Sequence, residues 1–279
     1  MNKAFSKYGK TAWLKMPKAI IESSYLKNLK CIVPVSGGKD SQACLKMAVE
    51  EFGADSVMGL FCDTKFEHPL TYQHIKDMSD IYGVYIHTIN DGNVLDKCVQ
   101  RGRFPGGGAR HCTNELKIIP TKKFLKSYAE EFIDEGEVIE VWYGMRVDES
   151  SERAKRYEFK DPDDLHLPHE VISNYPKYLG KLGVRYRLPI VDWYTEEVLD
   201  FIGDDKNPLY NQGFVRVGCF PCLAGGDKSK IKAFEHDSFG AQQLIDVRVV
   251  EEKLGKSVFT AGIGQKWDDN NQGCRICEI

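Results

Sequence analysis

Hydrophobic residues in the first half of the chain follow two alternating patterns. Short apolar runs rich in β-branched residues, typical of buried strands, are separated by longer segments in which apolar residues recur every three or four positions, as in amphipathic helices. The short runs predict strands at residues 30–35, 57–62 and 84–89. The longer segments predict helices at 40–52 and 70–82. Alternating strands and helices indicate a parallel sheet covered by helices on both faces.

The second half continues these patterns. It predicts strands at 138–143 and 186–191, with helices at 120–132 and 195–202, and residues 227–253 also have a helical pattern. Five strands complete one open sheet. The expected fold class is therefore α/β, with an open, mostly parallel, five-stranded Rossmann-like sheet.

These elements divide the chain into three parts. We predict an N-terminal helical segment at 1–29, an α/β domain at 30–205 and a cysteine-containing C-terminal region at 206–279. The last part ends in an irregular tail that carries Cys274 and Cys277.

Composition narrows the class of protein only a little. The chain has 279 residues, of which 42% are hydrophobic and 28% charged, and a formal net charge of -3, as in soluble globular proteins. This balance neither indicates nor excludes a nucleic-acid partner, because a local basic stripe can be offset elsewhere. Residues 1–14 lack the apolar core of a secretion signal, and no run of about 18 apolar residues occurs. We therefore expect a cytoplasmic protein without a membrane partner.

The clearest motif is a glycine pair between the first predicted strand and the first predicted helix. Two glycines allow the backbone to turn sharply beside an anion, and the free amides of the following helix point towards it. Flanking hydroxyls and a lysine add further donors. A plain Gly-Gly turn is the alternative, but the strand, the helix and the flanking residues favour a phosphate-binding loop. The loop residues are Ser36, Gly37, Gly38, Lys39, Asp40 and Ser41.

This loop resembles the pyrophosphate loop of the adenine nucleotide alpha-hydrolase superfamily. Further blocks resemble its phosphoadenosine phosphosulfate (PAPS) reductase branch, and the pattern is most similar to members that act in DNA phosphorothioation. The resemblance covers roughly residues 32–230. Its ordered blocks are Asp63-Thr64, Glu67-His68-Pro69 with Thr71, Arg110-His111-Cys112-Thr113 with Leu116-Lys117 and Pro120, Gly144-Met145-Arg146 with Glu149-Ser150 and Arg153, Pro189-Ile190 with Asp192-Trp193, and Gly218-Cys219-Phe220-Pro221-Cys222.

The resemblance implies a site for ATP or a related adenine nucleotide, with Mg²⁺. In that family the loop holds the phosphates, and the end of the second strand lies beside the adenosine. Carried over residue by residue, the catalytic candidates are Lys39, Asp40, Asp63 and Arg146. The other nucleotide-binding candidates are Ser36, Gly37, Gly38, Ser41, Thr64, Lys117, Gly144, Glu149 and Arg153.

Two of these assignments have simpler alternatives. Asp63, at the end of a strand, suits a hydrogen-bonding or Mg²⁺ role, but an aspartate there also caps turns. Arg146, Glu149, Ser150 and Arg153 would share one face if their segment were helical. Such a face is equally consistent with a surface ion-pair network, and the resemblance favours phosphate contact by the two arginines.

The cysteines fall into two groups. Cys31, Cys44, Cys62 and Cys98 lie in predicted strands or helices and are expected to pack as apolar residues. Two Cys-x-x-Cys pairs, Cys219 with Cys222 and Cys274 with Cys277, have the spacing of metal ligands, and together they would make a Cys₄ zinc site.

The family resemblance implies a different arrangement. In similar members of that family, cysteines hold a 4Fe-4S cluster. The matching ligands here would be Cys112, Cys219 and Cys222, with Cys274 or Cys277 as the fourth. Cys112 precedes a predicted helix, whose amides would lower the pKa of its thiol.

The preferred functional interpretation is cleavage of ATP to AMP and pyrophosphate, which activates an acceptor for sulfur transfer. A nucleic acid is a candidate acceptor, a sulfur donor protein is a further candidate partner, and so is a second copy of the chain. One alternative is a sulfonucleotide reductase with an atypical tail, since the reductases end in Glu-Cys-Gly-x-His and no His follows Cys274 or Cys277 here. The other alternative is a regulatory module that binds nucleotide without turnover.

Overall fold

The computed structural model describes residues 24–106, 110–173 and 175–259, together with Met16 and Ile20. Within this part of the chain, five strands form one sheet in the order β3-β2-β1-β4-β5, and every neighbouring pair is parallel. The predicted fold class is confirmed. The strands are β1 (Cys31–Val35), β2 (Val57–Cys62), β3 (Tyr85–Ile89), β4 (Ile139–Trp142) and β5 (Val184–Arg187).

Helices connect the strands and continue beyond the sheet. The longer ones are α1 (Lys39–Phe52), α2 (Pro69–Tyr82), α3 (Val94–Arg101), α4 (Ile119–Phe132), α5 (Ser151–Tyr157), α6 (Thr195–Ile202), α7 (Asp227–Phe234) and α8 (Ser238–Leu254). Short helical turns lie at Tyr25–Asn28, Ala54–Ser56, His111–Thr113, Asn114–Ile118, Val147–Glu149, Pro168–Val171, Lys177–Lys181, Gly203–Asp205 and Pro208–Asn211. No helix in the described ranges is long and apolar enough to cross a membrane.

Alternate residues of the central strand β1 point to two separate cores. Ile32 belongs to a cluster that includes Phe124 and Leu125 of α4. Val33 belongs to a cluster with Leu45 of α1, in which α2 and α6 also take part. The helices therefore cover both faces of the sheet, as the near-continuous apolar runs of the strands predict.

Buried cysteines contribute to these cores as expected, with one exception. Cys31 and Cys44 are fully buried in the α1 core, and Cys98 is fully buried between α3 and the C-terminal region. Cys62 differs, because it is only partly buried at the end of β2. Its thiol lies 3.4 Å from the Thr121 hydroxyl of α4.

Two predicted elements were wrong in their bounds. The fifth strand was expected at 186–191, but β5 ends at Arg187 and Val184–Arg187 pairs with Ile139–Trp142 of β4. Pro189 has no amide to donate, which prevents continuation of a ladder through it.

The predicted helix at 227–253 is two helices. The chain leaves α7 after Phe234, and the Asp237 carboxylate then accepts the Gly240 amide at 2.8 Å as the N-cap of α8.

The described part of the C-terminal region packs directly on the sheet domain. The Phe220 amide donates to the Phe66 carbonyl at 2.7 Å, and the His68 imidazole lies 2.8 Å from the Asp237 carboxylate. Of the predicted N-terminal helical segment, the structure describes only its end, where Tyr25–Asn28 is helical. Residues 206–259 thus lie against the loops at the carboxyl end of the sheet.

Candidate nucleotide and thiol site

The glycine pair forms the turn between β1 and α1. Gly37 has a φ of +74°, which favours glycine, and a Cβ there would lie 2.6 Å from the Thr71 methyl group. Gly38 is the N-cap of α1, so the first amides of the helix face the carboxyl edge of the sheet. Geometry requires glycine at position 37, whereas a Cβ at position 38 would make only a tight contact, and the turn has the shape of an anion-binding loop.

The two serines of the loop stabilise its shape. The Ser41 hydroxyl accepts the Ser36 amide at 3.1 Å and donates to the Gly38 carbonyl at 3.0 Å. The Ser36 hydroxyl lies 3.4 Å from that of Ser41. Both hydroxyls therefore help to fix the loop in its turn before any anion binds.

Two residues of the C-terminal region also hold the loop, a contact that no sequence motif predicts. The buried Asn207 amide donates to the Gly37 carbonyl at 3.1 Å. The Tyr210 hydroxyl accepts the backbone N–H of Lys39 at 2.8 Å. Asn207-Pro208 is a helix-start signal in sequence, but nothing local indicates a contact with a loop so distant along the chain.

A buried chain of charges links Lys39, Asp40 and Arg146. The Lys39 ammonium lies 3.1 Å from one Asp40 oxygen, and Arg146 Nε donates to the other at 2.7 Å. Arg146 makes three further contacts, with the Asp148 carboxylate (3.0 Å), the Trp193 carbonyl (3.1 Å) and the Thr195 hydroxyl (3.1 Å). The Arg146 guanidinium therefore has its hydrogen-bond partners within the protein, and it holds the Asp40 carboxylate in position.

The segment after β4 departs from the expected single helical face. Val147–Glu149 is a tight turn, Ser150 is extended and α5 begins at Ser151, so Arg146 and Arg153 are not on one helix. Arg153 forms an ion pair with Glu149, and its amide donates to the Ser150 hydroxyl. A Cβ on Gly144 would lie 2.6 Å from the Asp40 carbonyl carbon, so glycine here permits close packing of β4 against α1.

Asp63 closes the turn that follows β2. One of its oxygens accepts the Lys65 amide and the Tyr72 hydroxyl, each at 2.8 Å, and the other lies 2.7 Å from the Lys65 ammonium. Burial would raise the pKa of Asp63, but these hydrogen bonds outweigh it and hold the pKa below its usual value. This geometry is that of a turn carboxylate, which was the simpler alternative.

Glu67 has a larger place in the site than the sequence indicated. Its buried carboxylate accepts the Thr64 amide and hydroxyl, the latter at 2.6 Å, and the Tyr72 hydroxyl at 3.2 Å. The Cys219 thiol lies 3.7 Å from the same carboxylate and 3.3 Å from the Thr64 hydroxyl. Thr64 therefore contacts the Cys219 thiol and not the phosphate loop.

Three cysteines converge around Lys117. The pKa of Lys117 is raised mainly by Cys219, and Glu67, Cys222 and Cys112 raise it further, against the effect of burial. Burial raises the pKa of Cys219 to about 12, although Lys117 opposes this. Burial likewise raises the pKa of Cys112. The expected lowering by the helix start is therefore wrong, because loss of hydration outweighs the amides.

The donor set bears on the choice between a cluster and a single ion. No three His, Cys, Asp or Glu side chains in the described ranges lie close enough together to hold one metal ion. Sulfurs around one Zn²⁺ at about 2.3 Å would be only about 4 Å apart. A four-iron cluster is larger and takes thiolates that are more widely separated. The thiols of Cys112, Cys219 and Cys222 are the donor type that such a cluster takes, and Cys274 and Cys277 lie outside the described residues.

A cavity of about 900 Å³ joins the phosphate loop to the cysteines around Lys117. Ser36, Gly38, Lys39, Asp40 and Ser41 line one side, while Lys117 and Cys222 line another. Asp63 and Thr64 are missing from the described residues that line it, whereas Glu67, Gly144, Arg146, Glu149 and Arg153 are present. Seven basic and four acidic side chains face the cavity, in a chain of net negative charge. The cavity is therefore suited to a polyanion.

Comparison with known proteins identifies the family. The phosphoadenosine phosphosulfate reductase domain matches residues 30–224. The chain therefore belongs to the phosphoadenosine phosphosulfate reductase domain family, as the motifs predicted.

Curated relatives and solved structures are similar over much of the chain. A 37.8 kDa uncharacterized protein of Escherichia phage 186 is 30% identical over 241 residues, 69% of this chain and 66% of that protein. Adenosine 5'-phosphosulfate reductase of Salinibacter ruber is 25% identical over 175 residues, 61% of this chain and 58% of that protein. The chain thus spans less than two thirds of the length of both relatives.

Two solved structures have a similar chain path. The PAPS reductase of Candida auris has a TM-score of 0.44 and 14% identity, covering 73% of this chain and 91% of that one. The U34-tRNA thiolase of Methanococcus maripaludis, solved with its 4Fe-4S cluster, has a TM-score of 0.42 and 15% identity, covering 91% of this chain and 81% of that one.

Proposed function

We propose that the chain binds ATP with Mg²⁺ and cleaves it at the α-phosphate, releasing pyrophosphate to activate an acceptor for sulfur transfer. This proposal rests on one observation: the phosphate loop and Cys222 line the same cavity. A nucleotide bound by the loop would have its reacting phosphate in the space that Cys222 and Lys117 also face.

The cavity walls suit the parts of a nucleotide. Apolar side chains, including Leu60, Phe61 and Ile118, line the region beside the ends of β1 and β2 and would contact the adenine. The loop amides, with Lys39, would hold the pyrophosphate part. Mg²⁺ is typically held by phosphate oxygens and water with one or two carboxylates, and Asp40 is a carboxylate of the loop itself that lines the cavity.

The chemistry needed from the protein is electrostatic. An acceptor oxygen attacks the α-phosphorus, the bond to the bridging oxygen breaks, and pyrophosphate leaves with its charge distributed over several donors. The loop amides, the Ser36 hydroxyl and Lys39 are those donors in our proposal, while the Ser41 hydroxyl donates its hydrogen to the Gly38 carbonyl and holds the loop in shape. A sulfur nucleophile then displaces AMP from the adenylated acceptor.

The cysteines supply the second half of the proposal. Cys112, Cys219 and Cys222 would hold a 4Fe-4S cluster, with Cys274 or Cys277 as the fourth ligand. Three protein ligands would instead leave one iron open to bind sulfur. Glu67 and Thr64 hold the Cys219 thiol in place. Lys117 places a positive charge beside the thiolates and compensates their negative charge. The acceptor would be a nucleic acid, and a sulfur donor protein would complete the reaction, in the cytoplasm.

A second candidate function is the reduction of a sulfonucleotide. Membership of the PAPS reductase domain family favours it, as does the similarity to the Salinibacter ruber enzyme. The same loop and the same basic cavity would hold the phosphates of such a substrate.

Product analysis on anaerobically purified protein separates these functions. The proposal expects AMP and pyrophosphate from Mg·ATP, measured by anion-exchange chromatography, in amounts that rise when a nucleic-acid acceptor is added. Sulfite released from PAPS with a thiol reductant would instead establish the reductase. Tight ATP binding without either product would identify a regulatory module.

A further inference from the structure

A segment of the C-terminal region contacts the phosphate loop and lines the cavity beside it. Residues 207–217 contact the loop at successive positions: Asn207 holds the Gly37 carbonyl, and Tyr210 holds the Lys39 amide. A Cβ on Gly38 would lie 3.2 Å from the Val217 carbonyl and 3.4 Å from the Tyr210 hydroxyl. The segment therefore lies directly against the loop.

The Tyr210 hydroxyl still has a hydrogen to donate. Its oxygen accepts the Lys39 N–H, and no described residue accepts its proton. Tyr210 also lines the cavity beside Lys39 and Ser41. Burial raises the pKa of Tyr210, so the phenol remains a donor at neutral pH. A buried hydroxyl that retains a donor hydrogen at an anion-binding loop can bond to the anion itself.

Arg216 lies on the same wall and adds charge. Its side chain is exposed and lines the cavity, and no carboxylate among the described residues is paired with it. Its positive charge lowers the pKa of Tyr210, in opposition to burial, so the two groups are close. Arg146 differs from Arg216, because its guanidinium already donates to the carboxylates of Asp40 and Asp148. Arg216 is therefore the arginine of this wall that is available to a phosphate.

We propose that Tyr210 and Arg216 form a second part of the phosphate site and bind the pyrophosphate part of the nucleotide from the cavity wall beside the loop. This proposal rests on the proposed function, since it requires a nucleotide in the cavity. It assigns to the C-terminal region a direct part in substrate binding. The loop amides and Lys39 would contact the pyrophosphate together with the Tyr210 hydroxyl and the Arg216 guanidinium.

The test compares a nucleotide that has the pyrophosphate part with one that lacks it. Binding of α,β-methylene-ATP, which cannot be cleaved at the α-phosphate, and of AMP is measured by calorimetry with Mg²⁺. The variants are Tyr210→Phe, Arg216→Gln and Arg216→Lys. Tyr178→Phe and Lys253→Gln are the matched controls, because both side chains are exposed and neither lines the cavity.

We expect Tyr210→Phe to weaken binding of the analogue about tenfold or more, as loss of a hydrogen bond to a charged group does, and to leave AMP binding unchanged. Arg216→Gln should weaken the analogue about threefold to tenfold, more at low salt, and Arg216→Lys should restore part of that loss. The two controls should bind both ligands like the wild-type chain.

The opposite result for Tyr210→Phe has a clear meaning. If the hydroxyl only satisfies the Lys39 amide, phenylalanine frees that amide for phosphate, and the analogue binds equally well or more tightly. That outcome overturns the inference, as does an equal loss for AMP and the analogue. Arg216→Gln removes an exposed side chain, so it tests the site even if Tyr210→Phe does not fold. Failure of the wild-type chain to bind the analogue overturns the proposed function as well.

Discussion

Replacing Arg146 with glutamine removes the guanidinium that joins the phosphate loop to the segment after β4. The side chain is 2% exposed and contacts the carboxylates of both Asp40 and Asp148. Glutamine retains much of the volume but carries no charge, so Arg146→Gln leaves two carboxylates without the cation that they share. The Thr195 hydroxyl also loses its guanidinium partner.

The contacts of Arg146 set the size of the effect. Removing one partner of a buried ion pair costs about 3 to 5 kcal/mol. The Asp40 and Asp148 side chains are 19% and 33% exposed, so water replaces part of the lost interaction. We therefore expect the lower end, about 3 kcal/mol of unfolding free energy. In a domain of this size that corresponds to a melting temperature lower by about 6 to 12 °C.

Urea unfolding followed by circular dichroism measures this loss. The control is Arg101→Gln, because Arg101 is also paired with a glutamate but is 55% exposed. An exposed pair contributes about 1 kcal/mol or less, so the control should unfold almost like the wild-type chain. A loss for Arg146→Gln no larger than that for Arg101→Gln would refute the view that Arg146 holds the loop in place.

Lys39→Ala should reduce pyrophosphate release from ATP at least tenfold, since a contact between charged groups contributes about 1.5 to 3 kcal/mol; wild-type turnover would remove Lys39 from the phosphate site. Anaerobically purified protein should contain iron and acid-labile sulfide that Cys112→Ala loses. Zinc without iron, retained in Cys112→Ala but lost in Cys274→Ala, would support the Cys₄ zinc site instead. Because the pKa of Asp63 is lowered in the folded chain, its ionised form should stabilise the fold above about pH 4, and this contribution should be lost as the pH falls further. The difference in urea midpoint between the wild-type chain and Asp63→Asn should therefore narrow from about pH 7 to about pH 3, and an unchanged difference would contradict the assignment.

Local sequence patterns predicted the sheet and most of its helices because each element buries its own apolar residues. Val57–Cys62 and Thr195–Ile202 begin and end where the periodicity indicated. The errors occurred where a single residue decided the boundary. Pro189 was included in a strand that it cannot extend, and the Asp237 cap divided a helical pattern that looked continuous.

The site was predictable only where its chemistry lies within a few neighbouring residues. The loop of Gly37 and Gly38 was found because strand, turn and helix adjoin in sequence. Tyr210 was missed because its contact with Lys39 spans 171 residues. The pKa of Cys112 was misjudged because sequence shows the helix start but not the burial that opposes it.

The position of β1 at the centre of the sheet has a consequence for how the chain folds. Strands β1, β2 and β3 are consecutive and adjacent, so three of the five strands can pair from residues 31–89 alone. The other neighbour of β1 is β4, and the pairing of Cys31 with Glu140 joins residues roughly a hundred positions apart. Closing so long a loop lowers the chain entropy before the contacts between β1 and β4 can offset the loss. The pairing of β4 with β1 should therefore limit the folding rate. During synthesis, the edge of β1 that pairs with β4 therefore stays unpaired until β4 has left the ribosome. A chaperone or a second nascent chain would meet an exposed strand edge there.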